Sequence, residues 1–143
     1  MGSAERVADV LGGSTVLHAR VRSWQDLDRL VRAGLPKRSL QLVARRAVMM
    51  GTPSSALVYA IVPSATFKRR TRLNPEESAR TERLARVIAA AEAVAGDAEA
   101  AREFLNRPHP LLNHETPLAM AKSELGARMV ENLLYSIEHG LPL

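Results

Sequence analysis

Residues 66–80 read Thr-Phe-Lys-Arg-Arg-Thr-Arg-Leu-Asn-Pro-Glu-Glu-Ser-Ala-Arg, and this stretch decides the fold. Asn74 offers a side-chain oxygen to the free N–H groups of a helix start. Pro75 sits in the first turn, where a missing N–H costs nothing, and Glu77 lies three residues past the cap to close a capping box. The spacing predicts a helix from there to about Ala95. Leu84, Val87, Ile88, Ala91 and Val94 share one stripe of it, with Glu76/Arg80 and Glu82/Arg86 as outer i, i+4 pairs. Just upstream, Lys68, Arg69, Arg70 and Arg72 place four positive charges within five residues.

The rest of the chain repeats this grammar in both directions. Upstream, Ser23 caps a helix carrying Leu27, Leu30 and Val31, which Gly34 ends. Leu35-Pro36 opens a second helix, with Leu40, Val43, Ala44 and Ala47 inward and an end near Gly51. Thr52-Pro53 is expected to start a third, with Leu57 and Ile61 inward. Pro63 breaks it, and Ser64 is expected to cap a fourth segment that runs through Thr66 to Arg72. The first 23 residues are less regular: Gly12-Gly13 signals a turn, and Val16, Leu17 and Val21 suit one short strand or an irregular arm. Downstream, Gly96 ends the long helix and Asp97 caps the next, which carries Phe104 and Leu105 before Pro108 and Pro110. Thr116-Pro117 starts a short helical turn. Ser123 caps the last helix, with Val130, Leu133, Leu134 and Ile137 as its stripe and Gly140-Leu141-Pro142 as its stop. The fold class is all-α.

Composition agrees. At 143 residues the chain is one modest domain or two very small ones sharing a core. Hydrophobic residues make up 46% and aromatics 3%, which suits helices packing through small and aliphatic side chains. No cysteine is present, so no disulfide, thiol nucleophile or thiolate zinc site exists. The longest apolar run, Ala56 to Val62, is seven residues, against the roughly 20 needed to span a bilayer. The opening Met-Gly-Ser-Ala-Glu-Arg lacks the signature of a secretory signal, so a soluble cytoplasmic protein without membrane contact is expected. His18, His109, His114 and His139 show no metal spacing, and Gly12-Gly13-Ser14 lacks the frame of a phosphate loop. No G-x-S-x-G elbow or assignable triad occurs. The expectation is a non-enzyme with no catalytic residue, metal, cofactor or small-molecule substrate.

Charge divides the chain. Residues 1–74 hold 13 Lys or Arg against four Asp or Glu, and residues 75–143 hold seven against 11. A basic half followed by an acidic half points to two different partners. In the basic half, two short helices joined at a tight break outline a helix-turn-helix over residues 52–72, a motif that lays its second helix in the DNA major groove. Ser64, Thr66, Lys68, Arg69, Arg70 and Arg72 are its candidate DNA contacts. If three of the cations neutralise phosphates, log K falls against log salt with a slope of about −2.7 per monomer. In the acidic half, the last helix and the tail after it are the candidate protein-binding surface: Glu124, Arg128, Glu131, Asn132, Tyr135, Glu138, His139, Leu141 and Leu143.

The order of motifs resembles a known family. Thr66-Phe67-Lys68-Arg69-Arg70 followed by Leu73-Asn74-Pro75-Glu76-Glu77-Ser78-Ala79-Arg80 is similar to the T-x-x-R-R…L-x-x-E-E-S-x-R signature of Xre-like antitoxins, the group of ParS and MbcA, which pair with RES-domain toxins. Ala101, Phe104-Leu105, Arg107-Pro108, Leu111 and Thr116-Pro117-Leu118 resemble its A-x-x-W-L-x-x-P…L-x-G-x-T-P-L segment. Glu124-Leu125-Gly126-Ala127, Val130, Leu134, Ile137, Glu138 and Gly140 resemble E-x-G-a-x-x-V…L-x-x-I-x-x-G. Val10-Leu11-Gly12-Gly13 and Gly34-Leu35-Pro36 fit its N-terminal part. Phe104 stands where the family often has Trp, and Asn113-His114-Glu115 replaces a glycine-containing turn.

The resemblance implies an N-terminal arm and Xre-like helix-turn-helix bundle over residues 1–73 and a helical toxin-binding domain over 74–143. It implies an antitoxin of a type II toxin–antitoxin system that neutralises a RES-domain toxin acting on NAD, by breaking it down or transferring its ADP-ribose. It also implies a homodimer and repression of the operon through operator DNA. On that basis the last helix and Gly140–Leu143 are expected to block the toxin's cleft. The rival reading is a free-standing helix-turn-helix regulator whose C-terminal domain only dimerises.

Overall fold

The computed structural model describes residues 3–141. Its axis is the 21-residue helix α7 (Pro75–Ala95), against which helices from both ends of the chain pack. The capping box forms as the spacing predicts: Asn74 Oδ1 accepts from the Glu77 N–H at 2.8 Å, and the Glu77 carboxylate accepts from the Asn74 N–H at 2.9 Å. More of α7 is buried than one stripe. Ser78, Thr81, Ala85 and Ala89 join Leu84, Val87, Ile88 and Ala91 inside, because neighbours cover the helix on several sides.

Before α7 come α1 (Ser3–Val10), α2 (Gly13–Leu17), α3 (Trp24–Ala33), α4 (Lys37–Ala47), α5 (Ser55–Ile61) and α6 (Ser64–Arg69). After it come α8 (Ala98–Leu105), a 3-10 turn (Pro110–Leu112), α9 (Pro117–Met120) and α10 (Glu124–Glu138). Helices α1, α3, α4 and α5 pack on α7 from one end of the chain, and α8 and α10 from the other. No strand occurs among the described residues, and one isolated bridge joins Pro36 to Arg72. The fold is all-α.

Three local expectations change. Of the residues expected in a strand or irregular arm, Val16 and Leu17 lie in α2 and Val21 in the irregular backbone after it; ahead of them α1 buries Ala4, Val7, Ala8 and Val10 at helical spacing against α7, and Leu11 is fully enclosed. Such a helix draws its stability from the face it covers, not from its own length. Helix α5 starts at Ser55, so Thr52-Pro53 lies in the preceding turn. Helix α6 starts at Ser64 with Pro63 in the cap position and stops at Arg69, which leaves Arg72 in extended backbone.

That extended backbone ties the chain together. Leu73 N–H donates to Leu35 O at 2.8 Å and Lys37 N–H to Thr71 O at 3.3 Å, so residues 35–37 run antiparallel to 71–73. The Leu35 N–H is itself taken up by Ser78 Oγ at 2.8 Å, in a buried site. Arg72 closes the other side by donating to Gly34 O at 2.8 Å. Gly34 sits at φ 99, and a Cβ there would lie 2.6 Å from Leu73 O, so neither backbone nor space admits another residue.

Two substitutions test this crossing by chemical denaturation. Ser78→Ala leaves the Leu35 N–H buried without a partner and is expected to cost about 1–3 kcal/mol. Gly34→Ala is expected to cost about 1–3 kcal/mol from backbone strain alone, and more from the contact with Leu73. Unchanged midpoints for both would remove the crossing as a structural tie.

Candidate functional site

Helices α5 and α6 meet across Val62-Pro63 as a helix-turn-helix. Val58, Val62 and Phe67 are buried between them and the bundle, and the Tyr59 ring meets Phe67 edge-on at 6.1 Å. Lys37 supports α6 from α4: its Nζ donates to Phe67 O at 3.1 Å and lies 4.9 Å from the centre of the Phe67 ring. Ser64 and Thr66 are half-buried in α6.

The four cations do not act alike. Lys68 and Arg69 are exposed and take part in no ion pair among the described residues, Arg69 reaching only Thr66 Oγ1 at 3.5 Å. Arg70 makes a two-pronged pair with the Glu77 carboxylate at 2.6 and 2.9 Å. Glu77 is buried, and a buried carboxylate requires such a partner. Arg72 is committed to Gly34 O. The exposed cations on α6 itself are therefore Lys68 and Arg69; Arg70 is half-buried against Glu77, and Arg72, exposed past the end of the helix, keeps its charge while donating to Gly34 O.

At the other end, α10 seats Gly126, Ala127, Val130, Leu133 and Leu134 inward. Gly126 admits no side chain because a Cβ would collide with the Met120 carbonyl. Along one edge, Arg83 Nε pairs with Glu124 at 3.1 Å and its Nη1 donates to Lys122 O at 3.2 Å. Arg86 faces Glu131 at 3.2 Å and Glu82 and Glu124 at 3.6 Å each. Burial pushes the Glu82 carboxyl above the usual range; Arg86 opposes that, and Glu131 and Glu124 add to it. The hydrogen bond from Arg83 holds Glu124 below the usual range. Glu131, expected to face outward, is thus half-buried in a seam with α7, while Glu124 pairs with Arg83 at its rim and stays 55% exposed.

The exposed side of α10 holds Arg128, Asn132, Tyr135 and His139, with the Tyr135 and His139 rings 4.2 Å apart. Glu138 and Leu141 are exposed as well, and Leu143 lies outside the described residues. Two apolar residues absent from the expected set belong to this face: Leu125, 66% exposed, and Met129, 41% exposed. Their four-residue spacing, offset from the Ala127-Val130-Leu134 stripe, was the available signal. Ile137, expected in that stripe, is also exposed. From Tyr135 onward every described residue but Ser136 is exposed, so the last turn lies open to solvent.

Among the described residues no group of three or more His, Asp or Glu is placed to hold a metal ion, and no helix is long and apolar enough to cross a membrane. His109 uses its Nδ1 to accept the Leu111 N–H at 3.1 Å, a capping role.

Two family models match the chain in succession. Residues 26–86 match the antitoxin Xre-like helix-turn-helix domain, and residues 90–140 match the antitoxin Xre/MbcA/ParS C-terminal toxin-binding domain. Both matches draw on α7. Among curated proteins, the chain is 36% identical over 87 residues to an antitoxin Xre of Pseudomonas putida, an alignment covering 58% of this chain and 55% of that protein. It is 35% identical over 85 residues to an antitoxin Xre of Yersinia enterocolitica, covering 56% and 57%. The chain spans about half the length of these relatives. The helix-turn-helix of α5 and α6, the free face of α10 and the two successive matches over most of the sequence place this chain in the Xre-like antitoxin family.

Proposed function

We propose that this antitoxin neutralises a RES-domain toxin acting on NAD by laying α10 and the tail after it over the toxin's substrate cleft. In this reading it acts in the cytoplasm as one half of a type II toxin–antitoxin pair, without catalysis or cofactor, and as a homodimer represses its operon through α5 and α6. The observation that carries the first part is the outward face of α10, where Leu125 and Met129 stand exposed beside Arg128, Asn132 and the Tyr135–His139 pair. Exposed apolar side chains rimmed by polar ones are the mark of a protein-binding surface. The choice of a RES-domain partner rests on the motif order from Thr66 to Gly140. A cleft built for the phosphates of NAD is electropositive, and Glu138 on the exposed last turn is complementary to it. Glu131 is half-buried against Arg86 and the exposed Glu124 is paired with Arg83, so Glu138 is the carboxylate of the expected set with no ion pair among the described residues.

Neutralisation is tested by co-expression with a RES-domain toxin encoded beside this chain. Leu125→Asp with Met129→Asp is expected to weaken toxin binding by roughly 10–100-fold, the loss of one to two buried apolar contacts, with the helical circular dichroism unchanged. Removal of Glu138–Leu143 is expected to restore toxin activity. Full inhibition by the truncated chain would rule out blockade by the tail. Recovery of the chain on promoter DNA with no companion protein would favour a free-standing regulator.

The DNA reading rests first on the two exposed cations of α6. With Lys68 and Arg69 as the phosphate contacts, the salt slope is expected near −1.8 per monomer, not the −2.7 of three contacts. Lys68→Ala with Arg69→Ala is expected to abolish the promoter shift and leave toxin binding intact. Arg70→Ala is expected to act on stability instead, costing about 2 kcal/mol, less than a fully buried pair because the Arg70 side chain is 36% exposed. Wild-type promoter affinity in the Lys68/Arg69 variant would exclude α6 as the DNA-contacting element.

A further inference from the structure

We propose that a cleft of about 470 Å³ between α1, the start of α3, α7 and α10 receives a bulky apolar side chain of the toxin, and that Trp24 helps decide which toxin fits. This rests on the reading that α10 faces the toxin, and it adds a second, recessed contact beside that face. The floor of the cleft is made of small side chains on α7: Ala89, Ala90 and Ala93. Its walls are Trp24, 49% exposed, and Tyr135, 58% exposed. Two large aromatic side chains half in water above an alanine floor leave apolar area that only an inserted group would cover, and buried aromatic anchors of this kind carry most of the energy of protein interfaces. Arg86 and Glu131, 3.2 Å apart, are also among the lining residues.

The occupant follows from continuity. Tyr135 and Glu138 belong both to the exposed side of α10 and to the cleft, so a partner laid along α10 reaches the cleft without leaving the surface. The toxin-binding family match, residues 90–140, supplies the α10 wall and part of the alanine floor. Trp24 and the residues of α1 lie outside both family matches. One side of the cleft therefore comes from the part of the chain that the two family models do not share, which is where discrimination between related toxins is best placed.

The test uses the intact chain and a co-expressed RES-domain toxin. Ala93 is exposed on α7, so Ala93→Phe fills the cleft from the floor without entering the core; Ala93→Leu is the smaller alternative. Trp24→Ala removes a wall, and Trp24→Phe keeps an aromatic one. Ala93→Phe and Trp24→Ala are each expected to weaken toxin binding at least tenfold with little change in thermal midpoint, and Trp24→Phe to restore most of it. Wild-type affinity in Ala93→Phe, Ala93→Leu and Trp24→Ala, while Leu125→Asp with Met129→Asp still weakens binding, would overturn the cleft and leave the α10 reading standing. Failure of the unmodified chain to bind the toxin would overturn both. A wild-type dimer that Ala93→Phe converts to monomer in sedimentation, with toxin affinity unchanged, would make the cleft a contact between copies and overturn the toxin as its occupant.

Discussion

A buried carboxylate at the first turn of α7 organises the molecule. Glu77 accepts the Asn74 N–H, which starts the helix, and the Arg70 guanidinium, which fixes the chain leaving α6. Its position near a helix N-terminus favours negative charge, because the free N–H groups there carry partial positive charge. The next residue, Ser78, takes the Leu35 N–H and so draws in the turn between α3 and α4. Partners 3, 7 and 43 residues away thus meet within two adjacent residues. Arg70, Leu73, Glu77 and Ser78, which carry much of the family resemblance, therefore owe their identity to the fold at least as much as to any partner.

The same view changes the meaning of the charge division. Arg46 of α4 pairs with Glu92, and Arg70 pairs with Glu77, so acids of the second half neutralise cations of the first. Within the second half, Arg83 and Arg86 hold Glu82, Glu124 and Glu131. Part of the lopsidedness along the chain is complementarity between its own halves. What faces outward at the two candidate surfaces is smaller: Lys68 and Arg69 on α6 with Arg72 just past it, and Arg128 and Glu138 on α10. Apolar exposure, at Leu125, Met129, Trp24 and Tyr135, then carries more of the recognition than net charge does.

Helix starts were the most legible features because capping is local. Ser23, Asn74, Asp97, Thr116 and Ser123 each accept the backbone N–H three residues on, as their positions before apolar periods predicted. The capless helices were harder to read. Helix α5 begins two residues later than Thr52-Pro53 suggested, and Ser54 makes no side-chain cap bond. Helices α1 and α2 are eight and five residues long, too short for periodicity to separate them from a strand or loop. At α10 the buried stripe was readable from Val130 to Leu134, but Ile137 was not, since its exposure depends on where the neighbouring helices stop covering the last turn.

The order of residues alone determined the helical class, the long capped helix, the basic break between two short helices and the motif succession of the family, because each depends on neighbours within a few positions. Only the tertiary structure decided which arginines are free and which are committed, that Glu124 and Glu131 turn toward α7, and that α1 and Trp24 form a wall beside α10. Those outcomes are set by partners 7 to 45 residues away or more. A charged side chain in a chain reads the same whether it will meet water or a buried counter-ion, and packing alone separates the two.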